Sequence, residues 1–156
     1  MVNDLAYEII QKLGQRHLTI SVAESLTGGL VAASLTQIPG ASAVFKGGII
    51  AYGDEIKQQV LKVDPALITK FTSISDPVAQ SMATNVRELM NTDIGIATTG
   101  VAGPDKSDGF APGIVFVAIS IGDHKICQKL ELVGDRTQIR DQSVSELFKL
   151  TLSQLV

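Results

Sequence analysis

A chain of 156 residues is the size of one domain and is long enough to bury a core without disulfide or metal support. With 45% apolar and 19% charged residues, the composition excludes disorder. The 13 basic and 16 acidic residues leave a net charge of −3 with no basic block, and five Phe, two Tyr and no Trp offer few stacking platforms, which argues against a nucleic-acid partner. A single cysteine, Cys127, excludes an internal disulfide and a Cys-rich zinc site. His17 and His124 stand far apart in the chain, so neither a metal nor any other cofactor is expected. The opening MVNDLAYEII carries an early acid and no cationic leader, and the longest apolar stretch, Gly113 to Gly122, falls short of the ~20 residues a membrane helix needs. A cytoplasmic protein with no membrane partner is the expectation.

In chain order, Asn3 is positioned to cap a first helix with Leu5, Ile9, Ile10 and Leu13 on one stripe. LTISVA (Leu18 to Ala23) is short, β-branched and apolar, and predicts a buried strand. AESLTGG then turns the chain into a second helix, GLVAASLTQI. IPGASAVFKGG reads as irregular, punctuated by Pro39, Gly40, Gly47 and Gly48. GIIAYG predicts a second buried strand, followed by a helix DEIKQQVLK. Asp76-Pro77 marks a helix start, with Val78, Met82, Val86 and Leu89 on its inner face. DIGIATTG predicts a third strand ending in a Gly-rich turn. GIVFVAISIG and HKICQKLELVG predict an antiparallel pair joined at Gly122-Asp123, and a last helix begins near Asp135, turning Val144, Leu147 and Phe148 inward. Strands alternating with helices predict a three-layer α/β/α sandwich with a mixed, mostly parallel sheet, and one domain fills residues 1–156.

In an open α/β sheet, ligands sit beyond the carboxyl ends of strands. Polar groups gather there: Glu24, Ser25, Thr27, Gly28 and Gly29 after the first strand; Tyr52, Gly53, Asp54 and Lys57 after the second; Thr98, Thr99, Gly100, Gly103, Pro104 and Asp105 after the third; Gly134, Asp135 and Arg136 after the fifth. SLTGG lacks both the P-loop and dinucleotide patterns and serves equally as a cap with close-packed glycines. Lys57, one turn into a helix, faces the positive end of the macrodipole, which disfavours its charge and suits it to accept a proton directly or through Tyr52. Ser42 is the nearby hydroxyl that such a base would serve. From spacing alone, Ser42 as a cap, Tyr52 as a core-edge aromatic and Lys57 as a solvated cation is the favoured alternative.

Taken in order, AESLTGG, GASAVFKGGIIAYGDEIK, ATTGVAGPD and GDR resemble the nicotinamide mononucleotide deamidases, the family of the carboxy-terminal domain of CinA, from about Leu18 to Arg140. The resemblance implies hydrolysis of the carboxamide of nicotinamide mononucleotide to nicotinate mononucleotide and ammonia, by a stand-alone amidase lacking the amino-terminal domain of longer members. It implies a serine nucleophile at Ser42, with Tyr52 and Lys57 beside it, and substrate contacts at Thr99 and Arg136. Ser25, in ESLTGG, is placed in binding or support. With Thr27, Gly28 and Gly100 added from the glycine-rich turns, these form the expected substrate site, SLTGG and Arg136 being the expected phosphate contacts. The chain departs from the family where YGDEIK stands for the usual YSNEAK, and where DKSDGFAPG replaces a glycine-rich loop. A homo-oligomer is expected. The alternatives are a non-catalytic nucleotide-binding module on the same fold, linked to competence or DNA damage, and an interaction protein of the same association.

Overall fold

The computed structural model describes all residues 1–156. Its elements run α1 Val2–Arg16, β1 Ile20–Glu24, α2 Leu30–Thr36, a 3-10 turn Ala41–Ala43, β2 Phe45–Ile50, α3 Asp54–Gln59, α4 Pro65–Phe71, α5 Asp76–Leu89, β3 Ile94–Gly100, β4 Ile114–Ile121, β5 His124–Glu131 and α6 Arg136–Ser153. One five-stranded sheet has the order β2-β1-β3-β4-β5. β1 pairs in parallel with β2 and with β3, β4 runs antiparallel to β3, and β5 antiparallel to β4. Four of the five strands therefore point the same way, and the carboxyl ends of β1, β2, β3 and β5 lie along one edge of the sheet.

Alternation along the strands builds two cores. Ile20 and Val22 of β1, Ile94 and Ile96 of β3, and Val115, Val117 and Ile119 of β4 face α1, α2 and α6. Ala23, Ala97, Phe116 and Ala118 face α5 and the α3–α4 segment on the other side. The result is the three-layer mixed α/β sandwich that the strand–helix alternation predicts. Small residues on the second face let α5 approach closely: a Cβ on Gly95 would stand 2.0 Å from the Ala83 carbonyl oxygen. The hairpin turns at Gly122-Asp123 as expected, with Ile121 opposite His124 and Gly122 at φ 55.

Local expectations differ in four places. Helix α1 starts from Met1, so Asn3 lies inside its first turn rather than capping it. β2 begins at Phe45 and is an edge strand whose residues alternate between half-buried and exposed, so it is not buried on both sides. The predicted helix through Lys62 stops at Gln59, and α4 follows it, with Asp64 capping Ala66 and Pro65 in the first turn. In α5, Val78, Met82 and Val86 are buried but Leu89 is exposed. No helix is long and apolar enough to cross a membrane, and no three His, Cys, Asp or Glu side chains converge as a metal site would need.

Candidate active site

The carboxyl ends of β1, β2 and β3 and the start of α6 enclose a cleft of about 540 Å³. Its floor holds Ser25 and Lys57, its walls come from Leu26, Tyr52, Thr99 and the segment Gly100 to Pro104, and Ser73, Asp108 and Arg136 stand around its mouth. Each strand end supplies its residue through the register: Glu24 of β1 lies between Ile50 of β2 and Thr98 of β3, so Ser25 and Thr99 emerge side by side and Tyr52 follows one residue beyond their row.

Lys57 is the unusual group. Its side chain is 1% exposed, one of the largest fully buried side chains in the protein. The amine donates to Ser25 Oγ at 3.0 Å and to the Tyr52 carbonyl at 3.2 Å, and Asp54 Oδ1 lies 3.9 Å away. Burial pushes its pKa below the ordinary lysine value, with Asp54, Asp108 and Glu55 opposing that shift. The main cause is loss of water; Lys57 lies in the last turn of the six-residue α3, not at the positive end the sequence suggested. A desolvated amine against a hydroxyl is the arrangement that draws a proton from a serine.

Ser42 does not share this site. It is exposed in the 3-10 turn that precedes β2, whereas Tyr52 and Lys57 follow that strand's other end. A six-residue strand separates them by roughly 20 Å, beyond any side-chain reach. The hydroxyl against the lysine is that of Ser25. Strand polarity carries the signal for this: Ser25 leaves a carboxyl end, Ser42 approaches an amino end.

Tyr52 lines the cleft, but its hydroxyl accepts from Arg136 at 3.1 Å while Lys57 meets only its carbonyl. Arg136 also donates to the Gly103 carbonyl, so its guanidinium bridges two loops across the mouth. Thr99 is buried, and its hydroxyl donates to the Ser73 carbonyl at 2.7 Å. Gly100 belongs to the wall because β4 crosses it closely; a Cβ there would lie 2.7 Å from both Ile114 O and Val115 Cα.

Thr27 and Gly28 fall outside the cleft, and the amides that open α2 hold no free anion site. The Glu24 carboxylate accepts from the Thr27 hydroxyl at 2.6 Å and from the Gly29, Val31 and Ala32 amides at 3.2, 2.9 and 3.0 Å. The protein's own buried carboxylate thus takes the amides that a phosphate would have used, and Thr27 and Gly28 serve the turn that presents Ser25. At α6, the capping box between Asp135 and Gln138 likewise occupies one helix amide, leaving the Arg136 side chain as the expected phosphate donor that still faces the cleft. Sequence reasoning missed Ser73 and Asp108, joined at 3.1 Å beside the mouth, and Arg140, which clamps the Leu26 and Thr27 carbonyls at 3.0 and 3.1 Å beneath Ser25.

Residues 2–155 match the CinA C-terminal domain family. A Bacillus cereus (strain AH187) relative named as a competence-damage inducible protein is 46% identical over 140 residues, which covers 89% of this chain and 34% of the relative. The chain thus spans about a third of the length of the curated relatives it matches. Among solved structures, a competence or damage-inducible protein from Enterobacter asburiae superposes with TM-score 0.98 at 29% identity, covering 100% of this chain and 99% of that one. The competence/damage inducible protein CihA from Agrobacterium tumefaciens superposes with TM-score 0.94 at 30% identity over 97% of this chain and 94% of its own. With nearly every residue matched, the chain belongs to the CinA C-terminal domain family.

Proposed function

We propose that this chain hydrolyses the carboxamide of nicotinamide mononucleotide, giving nicotinate mononucleotide and ammonia, with Ser25 as the nucleophile. The observation that carries the reading is the buried Lys57 amine 3.0 Å from Ser25 Oγ on the floor of a cleft. A module that only bound nucleotide would gain nothing from burying a lysine, and burial costs stability.

Neutral Lys57 takes the proton of Ser25 as Oγ bonds to the amide carbon, and the carbonyl electrons move onto oxygen. The N–H groups of Leu26 and Ala102, both in the cleft wall and without acceptors inside the protein, are the donors available to that oxyanion. Collapse of the adduct breaks the C–N bond, and Lys57 returns its proton to the leaving nitrogen, releasing ammonia. Water then attacks the acyl ester while Lys57 accepts its proton; the ester C–O bond breaks, and Lys57 reprotonates Ser25 as the acid leaves. Tyr52 shapes the wall and anchors Arg136, and its hydroxyl is no relay to the base.

Ammonia release from the mononucleotide tests the reading, and two serine variants locate the nucleophile. Ser25→Ala should lower turnover by a factor of at least ~10³, as loss of a nucleophile does, while Ser42→Ala should leave it within about twofold. Substantial turnover by Ser25→Ala would overturn the assignment.

A further inference from the structure

We infer that Asp108 is the charge-recognition residue for the substrate ring, an anion set at the cleft mouth to face a quaternary pyridinium. The inference rests on the proposed mononucleotide reading. It concerns the loop DKSDGFAPG, where the chain departs from the glycine-rich form of the family it resembles.

The cleft sets Asp108 and Arg136, an anion and a cation, among different partners, with Asp54 and Asp105 its other carboxylates. Asp108 Oδ2 accepts from Ser73 Oγ at 3.1 Å, and Thr99 beside the floor fixes the Ser73 carbonyl at 2.7 Å, so the carboxylate is tied through Ser73 to the cleft wall. It lines the same cleft as Ser25 and Lys57. Asp108 Oδ1 has no partner inside the protein, so one oxygen is available to a ligand. Arg136, by contrast, stands with Tyr52 and Gly103. Asp54 already lies against the Lys57 amine.

The proposed substrate carries the same pattern. Its carboxamide is attached directly to the cationic ring, so once the amide carbon meets Ser25 the positive charge lies within a ring's width of the nucleophile. The phosphate hangs from the far side of the ribose, toward Arg136. A ring cation would also oppose protonation of Lys57, so a carboxylate at this point steadies the cation and limits its repulsion with the amine.

Binding to the Ser25→Ala chain, measured by calorimetry, separates charge from shape when the oxidised mononucleotide is compared with its reduced form, whose dihydropyridine ring is neutral. Asp108→Asn should weaken the oxidised form roughly tenfold and leave the reduced form within about twofold, the tenfold corresponding to one partly solvated ion pair. Asp108→Glu, which keeps the charge, should keep most of the preference for the oxidised ring. Equal weakening of both ring forms, no weakening of either, or a Glu variant as indifferent as the Asn variant would overturn the inference. Absence of ammonia release by the unaltered chain would sink the hydrolysis reading while the binding comparison still ran; failure of either ring form to bind at all would sink both.

Discussion

A lysine amine sealed from water is costly, and the cost has a pH signature. The unfolded chain keeps Lys57 protonated up to about its ordinary value of 10.5, while the folded chain releases the proton at lower pH because burial disfavours the charge. Between those two values the unfolded state binds more protons, so stability rises with pH across that window, and below it the full cost remains. Lys57→Met should abolish the rise and stabilise the fold at pH 7 by about 1–3 kcal/mol, since Asp54, its charged neighbour, is half-exposed and is not left stranded. Thermal unfolding of both chains between pH 7 and pH 10 checks this. A less stable variant would mean that the bonds to Ser25 and Tyr52 outweigh burial. Asp54 also tunes the base: it opposes the lowering of the Lys57 pKa, so Asp54→Asn should let the amine become neutral at lower pH. The acid limb of kcat/KM should move toward lower pH in that variant, and a limb that moved upward or stayed in place would deny Asp54 that role.

The turn between β1 and α2 is built around one carboxylate. Glu24 is 1% exposed and accepts four hydrogen bonds from donors in the turn and in the first residues of α2, so both of its oxygens are used as acceptors. Glu24→Gln exchanges an acceptor for an NH₂ facing N–H and O–H donors, which should cost about 2–4 kcal/mol, read from urea midpoints, and should lower turnover because Ser25 sits on the same turn. Unchanged stability would mean that the turn is held by Arg140 alone. At this scale much was legible. The stripes of α1 and α5, the hairpin and the start of α6 follow from local pattern and cap residues, which act over a few positions. Helix α4 was not, because it is only seven residues long and none of them is fully buried, so Leu67, Ile68 and Phe71 make too short a stripe to stand out. β2 was shifted because its glycines at 47 and 48 read as a turn, yet they lie beside β1, where a Cβ on Gly48 would stand 2.5 Å from Val22 Cγ2. The partner of Lys57 was misread for a longer-range reason. Ser25 lies 32 residues before Lys57, and only the parallel pairing of β1 with β2 brings them together, whereas Ser42 is nearer in sequence and at the wrong end of the strand.

Across the whole molecule, the cleft exists because four strands deliver their carboxyl ends to one edge, and loops far apart in sequence must then be held at fixed distances. Arg136 performs that service from the start of α6, reaching Tyr52 after β2 and Gly103 after β3. Two of its five N–H donors are used in these contacts, which leaves others for an anion entering the mouth. A mononucleotide with its amide at Ser25 extends its phosphate outward, and the guanidinium offers a planar, permanently charged partner there. Arg136→Ala should therefore lower kcat/KM for the mononucleotide by roughly ten- to a hundredfold, the loss expected for a charge-assisted contact at an exposed position. The dephosphorylated riboside has nothing for Arg136 to hold, so its slower hydrolysis should change only as far as the bridge between Tyr52 and Gly103 orders the walls. Measuring both substrates with both chains separates the two duties. A loss confined to the mononucleotide identifies the phosphate contact, whereas equal losses would make Arg136 a brace for the cleft. The phosphate would then need a donor other than the amides that open α2, because Glu24 already occupies those of Gly29, Val31 and Ala32.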